Sequence, residues 1–309
     1  MEKVLITGGA GFIGSNIADR LIELGHEVIV LDNLETGKRE NINKGAKFYE
    51  FDIRNKALID IFNKEKPTIV IHNAAQLSVR ISVENPVYDA DVNVVGGVNV
   101  FNCSMLSKVK KIIFASSGGT VYGEQEYFPA DESHPLRPIS PYGVAKLASE
   151  NYLYYFHKEY GLKFIALRYA NIYGPRQDPF GEAGVVAIFS SKIIAEDQPI
   201  INGDGNQTRD YVFVKDAVEA NIKAIESDYI GYINIGTSKE TSVNELFYIL
   251  KDISGKKYIK EIHGPAKPGE QLRSVLDFGL ASKILDWKPS VSIEEGLRRT
   301  YEWFKKNSI

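Results

Sequence analysis

The hydrophobic positions of this chain are grouped into short, nearly continuous runs separated by segments of helical period. The runs cover residues 4–7, 28–32, 47–51, 68–72, 111–115 and 163–167. Such runs are typical of strands buried on both faces of a parallel sheet, because helices then cover the sheet from both sides. The pattern therefore predicts an α/β fold with a doubly wound parallel sheet of the Rossmann type.

The first run leads into a glycine-rich turn and then into a helix. Residues 8–14 read Gly-Gly-Ala-Gly-Phe-Ile-Gly, and apolar residues at 13, 17, 21 and 24 mark one helix face. Strand, glycines and helix in this order predict a dinucleotide-binding turn, where backbone N–H groups approach a pyrophosphate. Asp32 ends the next run, where a carboxylate can bind the adenosine ribose and repel a 2′-phosphate. NAD is thus favoured, while the nearby Lys38 and Arg39 leave NADP as the alternative.

A tyrosine and a lysine further along the chain form a second chemical signal. Ser140 and Pro141 predict the start of a helix, on which Tyr142 and Lys146 lie four residues apart and share one face. A free tyrosine ionises near pH ~10, but a nearby ammonium and a nicotinamide cation both favour the phenolate. The alternative is a solvated surface pair, which the glycine turn makes less favourable.

Composition and charge exclude several classes of protein. Hydrophobic residues make up 44% and charged residues 25%, and the net charge of −3 comes without a basic stripe, which argues against a nucleic-acid partner. No apolar run is long enough to span a bilayer, and the chain enters its first strand without a signal peptide. Cys103 is the single cysteine, and the five histidines lack ligand spacing. We therefore expect a cytoplasmic protein without a metal site or a membrane partner.

Several motifs between and beyond these two signals resemble one family. They lie at residues 7–14, 31–34, 73–76, 116–123, 142–146, 168–171, 174–177, 181–184 and 203–211. On these motifs the chain resembles an extended short-chain dehydrogenase/reductase, and most closely the UDP-glucose (UDP-galactose) 4-epimerase family, nearly from end to end. The glycine turn and the Tyr–Lys pair are generic to the superfamily, whereas the later motifs are typical of nucleotide-sugar enzymes.

The resemblance implies roles for individual residues. Implied cofactor contacts are Gly8, Gly11, Phe12, Ile13, Gly14, Asp32, Asn33, Asp52, Ile53, Ala74, Gln76, Asn93, Tyr142, Lys146 and Tyr169. Implied substrate contacts are Ser117, Tyr142, Asn171, Gly184, Val185, Ile200, Asn202, Arg209, Tyr211, Lys267, Glu270 and Arg273. The implied catalytic residues are Tyr142, Lys146 and Ser117.

Two positions depart from the family pattern. Gly118 stands where many members have a further serine, so Ser116 or Thr120 is open as a partner of Ser117. Lys267 stands where many members have an arginine, and Arg273 would supply the missing contact. For Arg209 the alternative is a surface ion pair with Asp210. For Asn171 the alternative is the cap of a turn.

The resemblance also implies the organisation of the chain. Residues 1–170 would form the NAD-binding domain, joined by 208–236, and residues 171–207 and 237–309 would form a smaller α/β lobe that binds the nucleotide sugar. The turn-rich character after residue 171 agrees with this division, and residues 211–226 predict a strand and a helix that return to the sheet. A homodimer is expected through the helix of Tyr142 and the helix at 86–107.

The implied reaction is the interconversion of UDP-glucose and UDP-galactose through a transient 4-keto sugar. Tyr142 would take the proton of the sugar 4-hydroxyl while a hydride passes to tightly bound NAD, which is regenerated in each cycle. The small Ser274 would leave room for UDP-GlcNAc and UDP-GalNAc as well. A 4,6-dehydratase or decarboxylase is the nearest alternative, although Gly118 and Gly119 stand where dehydratases place an acid pair. A catalytically silent NAD-sensing scaffold protein is the second alternative, and reduction of a small ketone is a weaker one.

Overall fold

A seven-stranded parallel sheet forms the centre of the molecule. The computed structural model describes residues 1–180, 184–266 and 271–307. The sheet strands are β1 (Lys3–Thr7), β2 (Glu27–Asp32), β3 (Lys47–Glu50), β4 (Ile69–His72), β5 (Lys111–Ser117), β6 (Lys163–Tyr169) and β11 (Gly231–Ile235). Their spatial order is β11-β6-β5-β4-β1-β2-β3, and every neighbouring pair is parallel. This is the doubly wound sheet that the sequence predicts.

Helices cover both faces of the sheet. They are α1 (Phe12–Glu23), α2 (Leu58–Glu65), α3 (Val79–Glu84), α4 (Pro86–Ala90), α5 (Gly97–Leu106), α6 (Gly118–Val121), α7 (Pro141–Tyr160), α8 (Val185–Ile194), α9 (Val214–Glu226), α10 (Val243–Ser254), α11 (Gly279–Leu285) and α12 (Ile293–Asn307). Val4 and Ile6 of β1 pack with α1 and α9, whereas Leu5 packs with α2, α5 and α7 on the other face. Two buried faces explain why the strands are continuous apolar runs.

The remaining short strands belong to three small sheets. They are β7 (Asn171–Tyr173), β8 (Ile201–Asn202), β9 (Thr208–Arg209), β10 (Tyr211–Phe213), β12 (Thr241–Ser242), β13 (His263–Gly264) and β14 (Arg273–Ser274). β10 pairs with β7 rather than with the large sheet, and β11, which the sequence did not predict as a strand of its own, takes the sheet edge beside β6. α8, α10 and α12 pack on one another beside these strands. The division into two domains stays a prediction.

The carboxyl ends of the central parallel strands meet at one edge of the sheet. There they border a cleft of about 810 Å³ that residues from both halves of the chain line. Open α/β sheets bind their ligands at this edge. Among the helices of the described residues, none combines the length and the apolar character needed to cross a membrane.

Candidate active site

The glycine turn after β1 leaves no room for side chains. Gly8 has a φ of +68°, and a Cβ on it would lie 2.6 Å from the backbone nitrogen of Ala74. A Cβ on Gly14 would lie 2.3 Å from the carbonyl oxygen of Gly8. The backbone of the turn and the start of α1 therefore come close to the cleft, as a pyrophosphate at a helix N-terminus requires.

Asp32 is buried at the end of β2 and faces the glycine turn. Its carboxylate accepts hydrogen bonds from the backbone N–H groups of Ala10 (3.0 Å) and Leu34 (2.9 Å). A Cβ on Gly37 would lie 2.6 Å from Oδ1 of Asp32, so the following loop passes closely over it. These contacts hold the carboxylate in the wall of the cleft, where the sequence predicts the ribose of NAD.

A ring of polar side chains surrounds the cleft next to Asp32. Asn33 donates a hydrogen bond to Asp52 (3.2 Å), Asp52 pairs with Arg54 (2.7 Å), and Tyr88 donates to Glu35 (2.6 Å). Hydrogen bonds from Arg54 lower the pKa of Asp52 to about 2. Glu35, Arg54 and Tyr88 line the cleft although the sequence analysis did not select them.

Most of the predicted site residues line this one cleft. They are Gly8, Gly11, Phe12, Ile13, Gly14, Asp32, Asn33, Asp52, Ile53, Ala74, Gln76, Ser117, Tyr142, Lys146, Tyr169, Asn171, Gly184, Val185 and Tyr211. Asn93 lies behind the wall and bonds Gln76, while Ile200, Asn202, Arg209 and Arg273 lie outside the lining. Lys267 and Glu270 lie outside the described residues. The individual cofactor and substrate roles stay predictions.

Tyr142 and Lys146 lie on α7 as expected, at the point where the helix passes the end of β5. Ser140 caps α7 by accepting a hydrogen bond from the N–H of Gly143 (3.2 Å). The ammonium of Lys146 donates to the carbonyl of Ala115 (2.8 Å) and lies 5.6 Å from the ring centre of Tyr142. Burial lowers the pKa of Lys146 to about 8 and raises that of Tyr142. Lys146 therefore does not by itself make Tyr142 a base.

The structure separates the serines that the sequence left open. Ser117 lines the cleft, and its Oγ lies 4.0 Å from where a Cβ on Gly119 would sit, with Oδ1 of Asn171 at 3.9 Å from the same point. Ser116 also borders the cleft, but its hydroxyl donates a hydrogen bond to Glu150 (2.6 Å) in the interior. Ser117 and Asn171 thus face one space above Gly119, whereas Ser116 does not reach it.

The sequence left open whether Thr120 shares the role of Ser117, because Gly118 replaces the further serine of many family members. Oγ1 of Thr120 donates to the backbone oxygen of Ser117 (3.5 Å), and Thr120 is not part of the cleft wall. A Cβ on Gly118 would lie 2.4 Å from Cδ1 of Leu276. A further serine at this position would therefore require the side chain of Leu276 to move.

A buried ion pair lies behind these residues. Glu150, one turn after Lys146, accepts two hydrogen bonds from Arg168 of β6 (3.0 and 2.6 Å). Arg168 also donates to the hydroxyl of Tyr122 (3.0 Å). One carboxylate therefore ties α7 to β5 and β6 next to Ser117, Lys146 and Tyr169.

Asn73 is a cleft residue that the sequence analysis quoted in a motif without giving it a role. The two polar atoms of its side chain are buried, and neither has a hydrogen-bond partner among the described residues. Asn73 also borders the cleft. A buried unpaired amide costs free energy, so the cleft suits a polar ligand at this point. The glycine turn and this amide agree with a bound dinucleotide. The sequence signal for it was its place directly after β4.

The predicted substrate residues in the later part of the chain are more scattered. The guanidinium of Arg273 stacks on the ring of Phe128 (3.8 Å to the ring centre). It also donates two hydrogen bonds to the carboxylate of Glu240 (2.8 and 2.7 Å), which fixes its position. Asp210 is buried and accepts hydrogen bonds from Thr237, and burial raises its pKa to about 6. It is therefore not the exposed partner of Arg209 that the alternative required.

The site and the fold together define a dinucleotide-dependent α/β enzyme with a Ser–Tyr–Lys set beside a glycine turn. The model of the NAD dependent epimerase/dehydratase family matches residues 4–236. The chain belongs to this family. The predicted family, fold class and cofactor, NAD, are thereby confirmed.

Three similar proteins cover almost the whole chain. The crystal structure of the Thermotoga maritima UDP-glucose 4-epimerase with UDP-glucose has a TM-score of 0.96 at 49% identity, covering 98% of this chain and 99% of that one. The Thermus thermophilus UDP-glucose 4-epimerase in complex with NAD has a TM-score of 0.93 at 43% identity, covering 99% and 100%. The UDP-glucose 4-epimerase of Mycolicibacterium smegmatis is 42% identical over 99% of each chain.

Proposed function

We propose that this enzyme interconverts UDP-glucose and UDP-galactose by inverting the hydroxyl at carbon 4 of the sugar. The observation that carries the proposal is that Ser117, Tyr142 and Lys146 line the same cleft as the glycine turn and Asp32. Proton transfer and hydride transfer can then occur at one carbon. Full-length similarity to enzymes named UDP-glucose 4-epimerase supports it.

The residues divide the chemistry between them. Bound NAD accepts a hydride from the sugar carbon and returns it. Tyr142 exchanges a proton with the 4-hydroxyl, Ser117 orients that hydroxyl, and the ammonium of Lys146 stabilises negative charge on the phenol oxygen. Because burial raises the pKa of Tyr142, a second positive charge next to the ring has to favour the phenolate. For Asn171 the diphosphate contact rests on the family resemblance alone, since its Oδ1 faces the same space above Gly119 as the hydroxyl of Ser117.

The dehydratase and the silent scaffold are less favourable alternatives. Gly118 and Gly119 follow β5 where dehydratases would place an acid pair, so this part of the described cleft wall has no carboxylic acid to protonate a leaving hydroxyl. A protein that only senses NAD has no need of the Ser–Tyr–Lys set in its cleft. The relatives with 42–49% identity over the full length carry the epimerase name.

The test is incubation of the purified enzyme with single UDP-sugars and separation of the products. We expect UDP-glucose and UDP-galactose to reach the same equilibrium mixture from either side, without added cofactor. Denatured enzyme should release NAD. A product lighter by one water would instead identify a dehydratase, and unchanged sugar in both directions would contradict an epimerase.

Tyr142→Phe tests the proton transfer directly. Without the hydroxyl we expect turnover to fall by roughly a thousandfold, the size of a general acid–base contribution, while NAD stays bound. Tyr127→Phe is the matched control, since Tyr127 donates to Asp131 (2.9 Å) at the surface and outside the cleft. Turnover near that of the unmodified enzyme in Tyr142→Phe would show that another group moves the proton.

N-acetylated sugars are a second substrate class within the proposal. Ser274 is small, buried and paired with Arg209 across β14 and β9. Ser274 is not among the residues that line the cleft, so the family resemblance alone suggests that a small side chain here leaves room for an acetamido group. UDP-GlcNAc and UDP-GalNAc therefore belong in the substrate panel, with Ser274→Tyr as the variant that should lose them and keep UDP-glucose.

A homodimer in the cytoplasm completes the proposal. The face formed by residues 86–95 and the start of α7 exposes Val87 (78%), Val95 (57%) and Val144 (53%). Such adjoining apolar side chains favour a partner subunit. Light scattering should give twice 34.5 kDa, and Val87→Asp should shift the mass toward one chain. Tyr258→Asp, at another exposed apolar position, is the control.

A further inference from the structure

Asp89 of α4 is a buried carboxylate that the proposed reaction does not yet use. Its side chain is 1% exposed, and its Oδ1 accepts hydrogen bonds from the side-chain amides of Gln76 (2.8 Å) and Asn93 (2.9 Å). Gln76 and Asn93 are in turn joined by a hydrogen bond from the N–H of Gln76 to Oδ1 of Asn93 (2.9 Å). The carboxylate therefore has a fixed position in the protein interior.

This carboxylate lies next to the first turn of α7. Asp89 borders a small groove together with Pro141 and Ala145, the chain neighbours of Tyr142 and Lys146. Burial raises the pKa of Tyr142 and lowers that of Lys146, and the negative charge of Asp89 raises the pKa of both. Burial raises the pKa of Asp89, and its amide bonds and Lys146 oppose this.

Within the part of the chain that the structure describes, few other charges face the pair. Glu150 comes from α7 itself and is tied to Arg168 of β6. His72 of β4 faces Lys146, and burial lowers its pKa to about 3, so it is neutral. The phenol of Tyr169 on β6 lines the same cleft and is also neutral because burial raises its pKa. For Tyr142, Asp89 is thus the charged neighbour from a different element.

We infer that Asp89 is a positioning residue that sets the charge of the Tyr142–Lys146 pair. Its negative charge holds Lys146 as an ammonium and disfavours the phenolate of Tyr142. The phenolate of Tyr142, which removes the proton, therefore forms at a higher pH than it would without the charge of Asp89. The effect of Asp89 on proton removal from the substrate rests on the proposed function.

The test is the pH dependence of kcat/KM in Asp89→Asn, which keeps the shape and one oxygen acceptor. Loss of the negative charge should move the acidic limb to lower pH by about one unit, as expected for one charge several ångströms away in a partly buried site. Asp91→Asn is the matched control, because Asp91 is half-exposed and pairs with Arg54. Its profile should not move. A uniform loss of activity at every pH in Asp89→Asn would overturn the inference.

A measurement without substrate separates this inference from the proposed function. Phenolate absorbance of the holoenzyme, minus that of its Tyr142→Phe counterpart, reports the ionisation of Tyr142 alone. We expect this titration to lie at lower pH in Asp89→Asn, and in Asp89→Ser as a second variant should the first fail to fold. An unmoved titration would overturn the role of Asp89, even if the enzyme is an epimerase. Failure to convert any UDP-sugar would overturn the proposed function and leave this titration valid.

Discussion

At the scale of single residues, Ser116 and Ser117 are neighbours with opposite tasks, because side chains alternate along a strand. Ser117 faces the cleft and Ser116 bonds the buried Glu150 (2.6 Å). We expect Ser117→Ala to lower kcat by about a hundredfold with little effect on stability. Ser116→Ala should keep most of the turnover and lower the free energy of unfolding by about 1–3 kcal/mol, because Glu150 loses a buried donor.

Turnover assays and urea unfolding of the two serine variants distinguish these effects, and each variant is the control for the other. Equal loss of kcat in both would mean that the interior hydrogen bond of Ser116 also governs the chemistry. A loss confined to Ser116→Ala would contradict the assignment of Ser117.

At the scale of elements, α12 packs against β7 through a glycine. A Cβ on Gly296 would lie 2.0 Å from the hydroxyl of Tyr173, a residue of β7 that also lines the cleft. Alanine is usually better than glycine in a helix by about 1 kcal/mol. Here we expect Gly296→Ala to destabilise the protein by about 1–3 kcal/mol, because the close contact outweighs the propensity.

Urea unfolding measures the effect of Gly296→Ala, with Glu302→Ala at an exposed position of α12 as the control. The shifted Tyr173 should also raise KM for the UDP-sugar. A stabilised Gly296→Ala variant would show that α12 can move away from β7 without cost.

At the scale of the whole molecule, stability in acid depends on a buried histidine under the sheet edge. His72 bonds Thr7 (2.6 Å), and burial lowers its pKa from 6.5 to about 3. Below pH 6.5 the imidazole of His72 binds a proton in the unfolded chain but stays neutral in the folded protein. The free energy of unfolding should therefore fall as the pH drops from 6.5 toward 3, by up to about 4 kcal/mol from this group.

Unfolding of His72→Gln over the same pH range isolates this contribution. The variant is expected to be less stable at neutral pH, but its stability should fall less steeply in acid. His26→Gln, on the loop between α1 and β2, is the control and should keep the steep slope. An unchanged slope in His72→Gln would mean that other groups cause the acid sensitivity.

The sequence by itself determined the sheet, the glycine turn and the Tyr142–Lys146 pair. Each depends on neighbours in the chain: continuous apolar runs, glycines where a Cβ does not fit, and a four-residue spacing on one helix. Ser117 and Asp32 were also within reach, because they end strands whose carboxyl ends meet at one edge, whereas Asn171 was selected only through the family resemblance. β11 was missed, since its short run at the sheet edge becomes a strand only by pairing with β6.

Only the tertiary structure decided which of these residues face the cleft and which hold it in place. Ser116 turned to the interior because Glu150, 34 residues away in the chain, reaches it there. Asp89 came next to the pair because α4 packs against α7. Leu276 packs closely over Gly118, and Glu240 accepts hydrogen bonds from Arg273. These contacts join residues far apart in sequence, and their effects depend on distance and burial, which a linear pattern does not contain.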